Sequence, residues 1–293
     1  MPWQNGIWQH QAKAAIRMAE RTAGRYGWHI AIIAAGSARD DGATRIELAK
    51  VRRWARATPP SGKASLKVAR MIAGAQKTAR PAWQANEPGG SAESFPFGSG
   101  GDVCVIRLTS NGTSLPEALA TAFSTKAVDE LAQFARRNGL TAADVAFWVS
   151  AHESAHCLLG AAMRSHAIDT AWSRQLTAPR TWIESQDAAD HDTAVLARTE
   201  ETAADLLASA WARQALPSRQ AASLVRLVRR GRQLGSFYEE DDLHASSTAL
   251  RSIAALRIGR NHTNPVLAAW RLAKADTRNT LETRGVRSVK ARS

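Results

Sequence analysis

The chain has 293 residues, 44% of them hydrophobic and 22% charged, and a formal net charge of +13. That length supports a sizeable core and two domains, and no apolar run is long enough to span a membrane, so the expectation is a soluble protein without a membrane partner. The sequence pI of about 10.7 points to an acidic partner such as nucleic acid, and a solvated basic surface carries the same signature.

The first segment, MPWQNGIWQHQAKAAIRMAE, is amphipathic and not signal-like. Residues 8–25 set Ala, Ile16 and Met18 among basic side chains, the pattern of a helix. Trp28-His29-Ile30-Ala31-Ile32-Ile33-Ala34 reads as a buried strand. Asp40-Asp41-Gly42 marks a turn, and residues 44–51 fit either a second strand or a helix start. Pro59-Pro60-Ser61-Gly62 breaks the pattern ahead of a short basic helix at 65–77. Residues 1–80 hold 15 basic side chains against 4 acidic ones, a local excess of 11, interleaved with Trp3, Trp8, Trp28 and Trp54. Such a mixture binds single-stranded nucleic acid by charge and stacking, although tryptophans also serve as core. Residues 1–80 are therefore expected to form a basic N-terminal region that can bind nucleic acid.

Pro, Gly and Ser dominate residues 81–101, which read as a linker to a domain spanning 102–283. Residues 103–108 fit a strand. A helix is expected over 115–138, with Pro116 in its first turn and Gly139 at its end. The next helix spans about 142–164, with Thr141 as N-cap and Asp144 completing an approximate capping box. Val145, Trp148, Val149, His152, His156 and Leu159 fall on one face of it.

Inside that helix lies His152-Glu153-Ser154-Ala155-His156, an H-E-x-x-H sequence. Residues four apart share a face, so His152 and His156 can hold one Zn²⁺. Glu153, one step round, can take the proton of a metal-activated water as it attacks a peptide carbonyl. Cys104 and Cys157 show no CxxC spacing, which favours unpaired thiols and a reducing, cytoplasmic compartment. Cys157 points away from the metal and packs in the core on this reading. Residues 165–192 read as a polar loop containing His166 and His191.

A further helix ends before Pro217 and contains Glu200-Glu201-Thr202-Ala203-Ala204-Asp205. Two histidines leave a tetrahedral zinc short of a protein ligand. Glu201 can supply it, while Asp205, four residues on, can orient a ligand histidine through its free ring N–H. Glu200 shares its face with Ala204 and Leu207, which offer no such chemistry. Acidic residues near a helix start also suit the dipole without any metal. Residues 219–232 form a basic amphipathic helix, with Arg219, Arg226 and Arg230 on one face and Leu224, Val225 and Val228 on another.

HESAH followed by ETAAD resembles the gluzincin pattern, H-E-x-x-H and then E-x-x-A-D on a second helix. It resembles bacterial and phage-related soluble metallopeptidases, and is similar to CaaX-processing membrane proteases without their membrane helices. The metzincin pattern does not fit, because Leu159 and Ala162 stand where Gly and His are needed. The resemblance covers about residues 100–260 and implies a zincin-like core of an active-site helix, a small sheet beside it and a glutamate helix. Glu239-Glu240-Asp241-Asp242-Leu243-His244 resembles the Asp…His-Pro…Arg element of several gluzincins, with Ala245 in place of Pro. By that resemblance His244 steadies an oxyanion and Asp242 holds its tautomer. A helix through Arg251 to about 257, a last helix at 265–281 and a basic tail at 284–293 complete the expectation.

The reading is a mainly helical α+β protein, a zinc-dependent metallopeptidase acting on a protein or peptide substrate. The alternative is a nucleic-acid-binding protein whose zincin-like fold is structural or regulatory. An intact Glu153 favours the first, since a purely structural site needs no general base.

Overall fold

The computed structural model describes residues 7–28, 30–35, 90–97, 101–108, 114–123, 127–175, 191–238, 246, 248–255 and 264–290. These are mainly helical, with one three-stranded sheet. They divide into two compact units, Met1–Ala122 with Thr141–Ala161, and Phe123–Leu140 with Ala162–Ser293.

In the first unit, α1 (Ile7–Arg25) buries Ala12, Ala15, Ile16, Ala19 and Ala23 on one stripe and leaves Lys13, Arg17, Arg21 and Arg25 exposed. It ends at Gly27, whose φ of 71° suits a residue without Cβ; the Trp28 N–H then reaches the Ala23 carbonyl at 3.0 Å. Strands β1 (Ile30–Ala35), β2 (Gly90–Phe97) and β3 (Gly101–Leu108) form a sheet in the order β1-β3-β2. β1 runs parallel to β3, with Ile32 opposite Cys104, and β2 runs antiparallel to it. The Ile32 N–H donates to Glu20 Oε1 of α1 at 3.2 Å, which ties the helix to that strand.

This sheet changes the expected domain layout. β2 lies inside the stretch expected as a linker, and β1 comes from the region expected to stand apart as the basic N-terminus. Gly and Pro suit a linker, but β2 is at the margin of the sheet, a position that admits a proline such as Pro96. The readings at 40–77 and most of the N-terminal charge fall outside the described residues.

Helix α2 (Leu115–Ala122) starts with a capping box: Ser114 Oγ and Ser114 N–H both donate to Glu117 Oε2, at 2.6 and 3.0 Å. The single helix expected over 115–138 is in fact two, because α2 stops at Ala122 and α3 (Val128–Arg137) begins afresh. Between them Phe123 is buried. α3 closes at Gly139, φ 69°, where the Leu140 N–H meets the Ala135 carbonyl at 3.0 Å.

Helix α4 (Ala142–Arg164) carries the H-E-x-x-H sequence. Asp144 accepts from both the N–H and the hydroxyl of Thr141 at 2.8 Å, as the cap reading expects. The helix is buried on nearly every side from Asp144 to Leu159, not along one stripe. Cys157 of α4 is disulfide-bonded to Cys104 of β3. The expectation of two unpaired thiols is thereby corrected. Their 53-residue separation carries no spacing signal; pairing follows from β3 lying against α4. The argument for a reducing compartment rested on those thiols and lapses with them.

In the second unit, α5 (His191–Ala215) is central, packed by α6 (Ser218–Tyr238) and α7 (Pro265–Lys290), while α3 packs on α6. Phe123 lies against Gly231 of α6, where even a Cβ would come within 2.7 Å of the ring. That tertiary seat is what helical periodicity at 115–138 could not express. Short 3₁₀ turns lie at Ala171–Gln175 and Ala249–Ala255, the latter within the helix expected near Arg251. α7 continues to Lys290, so most of the expected basic tail lies in this helix. No helix among the described residues is long and apolar enough to cross a membrane.

Candidate metal centre

Spacing alone puts His152 and His156 on one face of α4, and side-chain geometry brings them together. Their Nε2 atoms stand 3.1 Å apart, with the rings nearly perpendicular and their centroids 4.8 Å apart. Either one nitrogen carries a proton and the other a lone pair, or both lone pairs converge on a shared cation. Two nitrogens on one tetrahedral zinc stand about 3.3 Å apart, so the pair has the separation of a chelate.

One turn earlier, the Trp148 ring lies 5.4 Å from the His152 ring, centroid to centroid. His152 and Glu153 are both buried, and His156 is half-buried. Ser150 and Ser154 are buried in the same segment and donate to the carbonyls of Ala146 and Ser150 at 2.8 and 2.7 Å. Their hydroxyls are thus satisfied within the helix.

Glu201 lies on α5, in the second unit, and is half-buried, as is Glu200. Two imidazoles and one carboxylate are the donor set of catalytic zinc sites with one position left open, so the residues present fit the metal.

Asp205, one turn after Glu201, is fully buried. Its carboxylate accepts from Arg232 Nε and Nη2, both at 2.9 Å, and from the Ser246 hydroxyl. The sequence expectation for Asp205 is that it orients a ligand histidine; a bidentate guanidinium from α6 and a hydroxyl are among its partners. Neither Arg232 nor Ser246 stood out in the sequence. Arg232 follows Arg226, Arg229 and Arg230, and only its burial distinguishes it from exposed Arg226 and Arg230. The Arg232 guanidinium also lies 5.6 Å from the centre of the Phe123 ring.

Asp242 and His244 lie outside the described residues, as does the side chain of His191. His166 is exposed just after α4, with φ 55°.

A second buried charge pair joins α5 to α7. Arg198 Nη2 donates to Asp276 Oδ2 at 3.4 Å and to Thr280 at 3.2 Å, while the Thr199 hydroxyl donates to Thr277 at 3.1 Å. Burial raises the Asp276 pKa above its usual 3.8, and Arg198 only partly offsets that.

Compared with known proteins, the chain matches no family model, no curated protein and no solved structure.

Proposed function

We propose that the chain is a zinc-dependent metallopeptidase of gluzincin type, hydrolysing peptide bonds in a protein or peptide substrate. The observation that carries this reading is the convergence of His152 and His156 Nε2 at 3.1 Å inside the H-E-x-x-H turn. An active-site helix α4, a small sheet bonded to it through Cys104–Cys157, and a glutamate helix α5 are the parts of a zincin-like core, and they support the finer fold reading.

His152, His156 and Glu201 would hold the metal. Zinc there would supply positive charge that polarises a peptide carbonyl and acidifies a water. Glu153 follows His152 directly and is buried, so its carboxylate is shielded from bulk solvent. On this reading it takes the proton from the attacking water and returns it to the leaving amine. Asp205, held by Arg232 and Ser246, anchors the α5 turn that bears Glu201. Asp242 and His244 keep the roles the resemblance assigns them.

Metal analysis of the purified chain, run beside hydrolysis of a labelled unstructured protein, tests the proposal. The native chain should hold about one zinc per chain. Glu153→Gln should hold as much zinc and lose turnover by about a hundredfold or more, since the amide cannot accept the proton. Unchanged turnover in that variant would remove Glu153 from the reaction.

The net charge of +13 favours a second reading, in which the protein binds nucleic acid and any metal is structural or regulatory. The two readings part at Glu153, which a structural site does not need.

A further inference from the structure

The Cys104–Cys157 bond sits at a particular place in the first unit. Cys104 belongs to β3, the strand flanked by both β1 and β2. Cys157 directly follows His156, at the end of the turn that carries both histidines. Both cysteines are 0% exposed. The bond therefore joins the middle of the sheet to the His152–His156 turn.

That turn has reason to need support. Hydroxyl donation from Ser150 and Ser154 to the preceding turn's carbonyls slightly weakens and bends a helix. Nearly every side chain around the turn is buried, so a small shift of the helix axis carries the histidines with it. A covalent tie one residue past His156 opposes such a shift.

We propose that Cys104–Cys157 is a positioning cross-link for the histidine pair, and that it makes the geometry of the centre depend on thiol oxidation. Breaking it takes two electrons and two protons from a dithiol reductant. One reductant thiolate attacks a cysteine sulfur and forms a mixed disulfide. The reductant's second thiolate then displaces the cysteine and closes the reductant's own disulfide, leaving two thiols on the protein. Because both sulfurs are buried, the reductant reaches them only when the fold opens locally. The cross-link itself stands apart from the metal reading; its consequence for metal retention rests on that reading.

The test uses the full chain, metal-free, oxidised or reduced with dithiothreitol. Amide hydrogen exchange is followed by mass spectrometry across residues 146–160 and across α5 and α7. Reduction should speed exchange at 146–160 at least tenfold and change α5 and α7 much less. Equal exchange in the two forms overturns the proposal, as does equal acceleration everywhere, which marks general destabilisation. Two free thiols in the protein purified without reductant overturn it as well. Should the reduced chain unfold outright, the Cys104→Val/Cys157→Ala chain, checked for native helicity, decides by the same exchange comparison. In a second arm, zinc-loaded oxidised and reduced chains are challenged with a chelator, and the reduced form should release metal at least tenfold faster. Equal release overturns the metal consequence. An oxidised chain that takes up no zinc overturns the metallopeptidase reading and leaves the exchange result to judge the cross-link.

Discussion

Adjacent positions on an α-helix differ by about 100° around its axis, and that rotation separates Glu201 from Glu200. Both are half-buried carboxylates on one turn of α5, and on the metallopeptidase reading only one of them can face the histidines. Glu201→Ala should therefore lower zinc affinity by at least tenfold and abolish hydrolysis, while Glu200→Ala keeps both; metal competition titrations on the two variants check this. Loss confined to the Glu200 variant would mean that the helix register is wrong. Retention in both would move the third ligand to another residue, with His166 and His191 next. Arg232 is a second case in which a single residue decides. Its removal leaves Asp205 as a buried carboxylate without its cation, and that loss costs about 3–5 kcal/mol. Urea unfolding of Arg232→Ala should show a decrease of that order, and a change below about 1 kcal/mol would mean that water or another cation replaces the guanidinium.

At the scale of elements, α5 and α7 are joined by Arg198–Asp276 and by the Thr199–Thr277 hydrogen bond. Burial raises the Asp276 pKa above 3.8, so between 3.8 and the raised value the folded chain holds a proton that the unfolded chain has released. The stabilising contribution of this group is therefore fully present below about pH 3.8 and is lost as pH rises through the folded pKa. Asp276→Asn, which cannot ionise, should lack that dependence. In thermal melts from pH 3.5 upward, wild-type stability relative to the variant should fall as pH climbs out of the acid range. A difference that stays constant would show that the Arg198 ion pair balances desolvation, and one that grows with pH would show that it outweighs it.

For the whole molecule, the charge excess makes a measurable claim of its own. Binding through phosphate contacts releases counterions, so affinity falls steeply with salt. The full chain should bind a labelled nucleic-acid duplex or single strand at about 50 mM salt and lose at least tenfold in affinity by about 200 mM. Fluorescence anisotropy measures both, and absence of binding at the lower salt removes nucleic acid as the explanation of the charge. The second unit contributes an exposed basic stripe to that surface. Arg219, Arg226 and Arg230 of α6 face solvent while Leu224, Val225 and Val228 are buried, as helical spacing requires. Part of the stripe is already engaged within the unit. Arg230 Nε donates to Glu130 at 2.9 Å, and Arg226 donates to Ser223 at 3.0 Å.

The sequence by itself determined what lies within a turn or two of each residue. The limits of α4, its Thr141–Asp144 cap, the shared face of His152 and His156, and the stop at Gly139 all rest on bonds or rotations spanning about five residues. The tertiary structure alone decided the β1-β3-β2 order, the use of a Gly- and Pro-containing segment as a marginal strand, the Cys104–Cys157 bond, the break at Phe123 and the Arg232–Asp205 pair. Each of these joins residues far apart in the chain, where no periodicity links them. Phe123 and Gly231 meet because a ring needs a flat seat, and Arg232 differs from its neighbouring arginines because a buried carboxylate requires a cation. Such needs arise only once helices have packed.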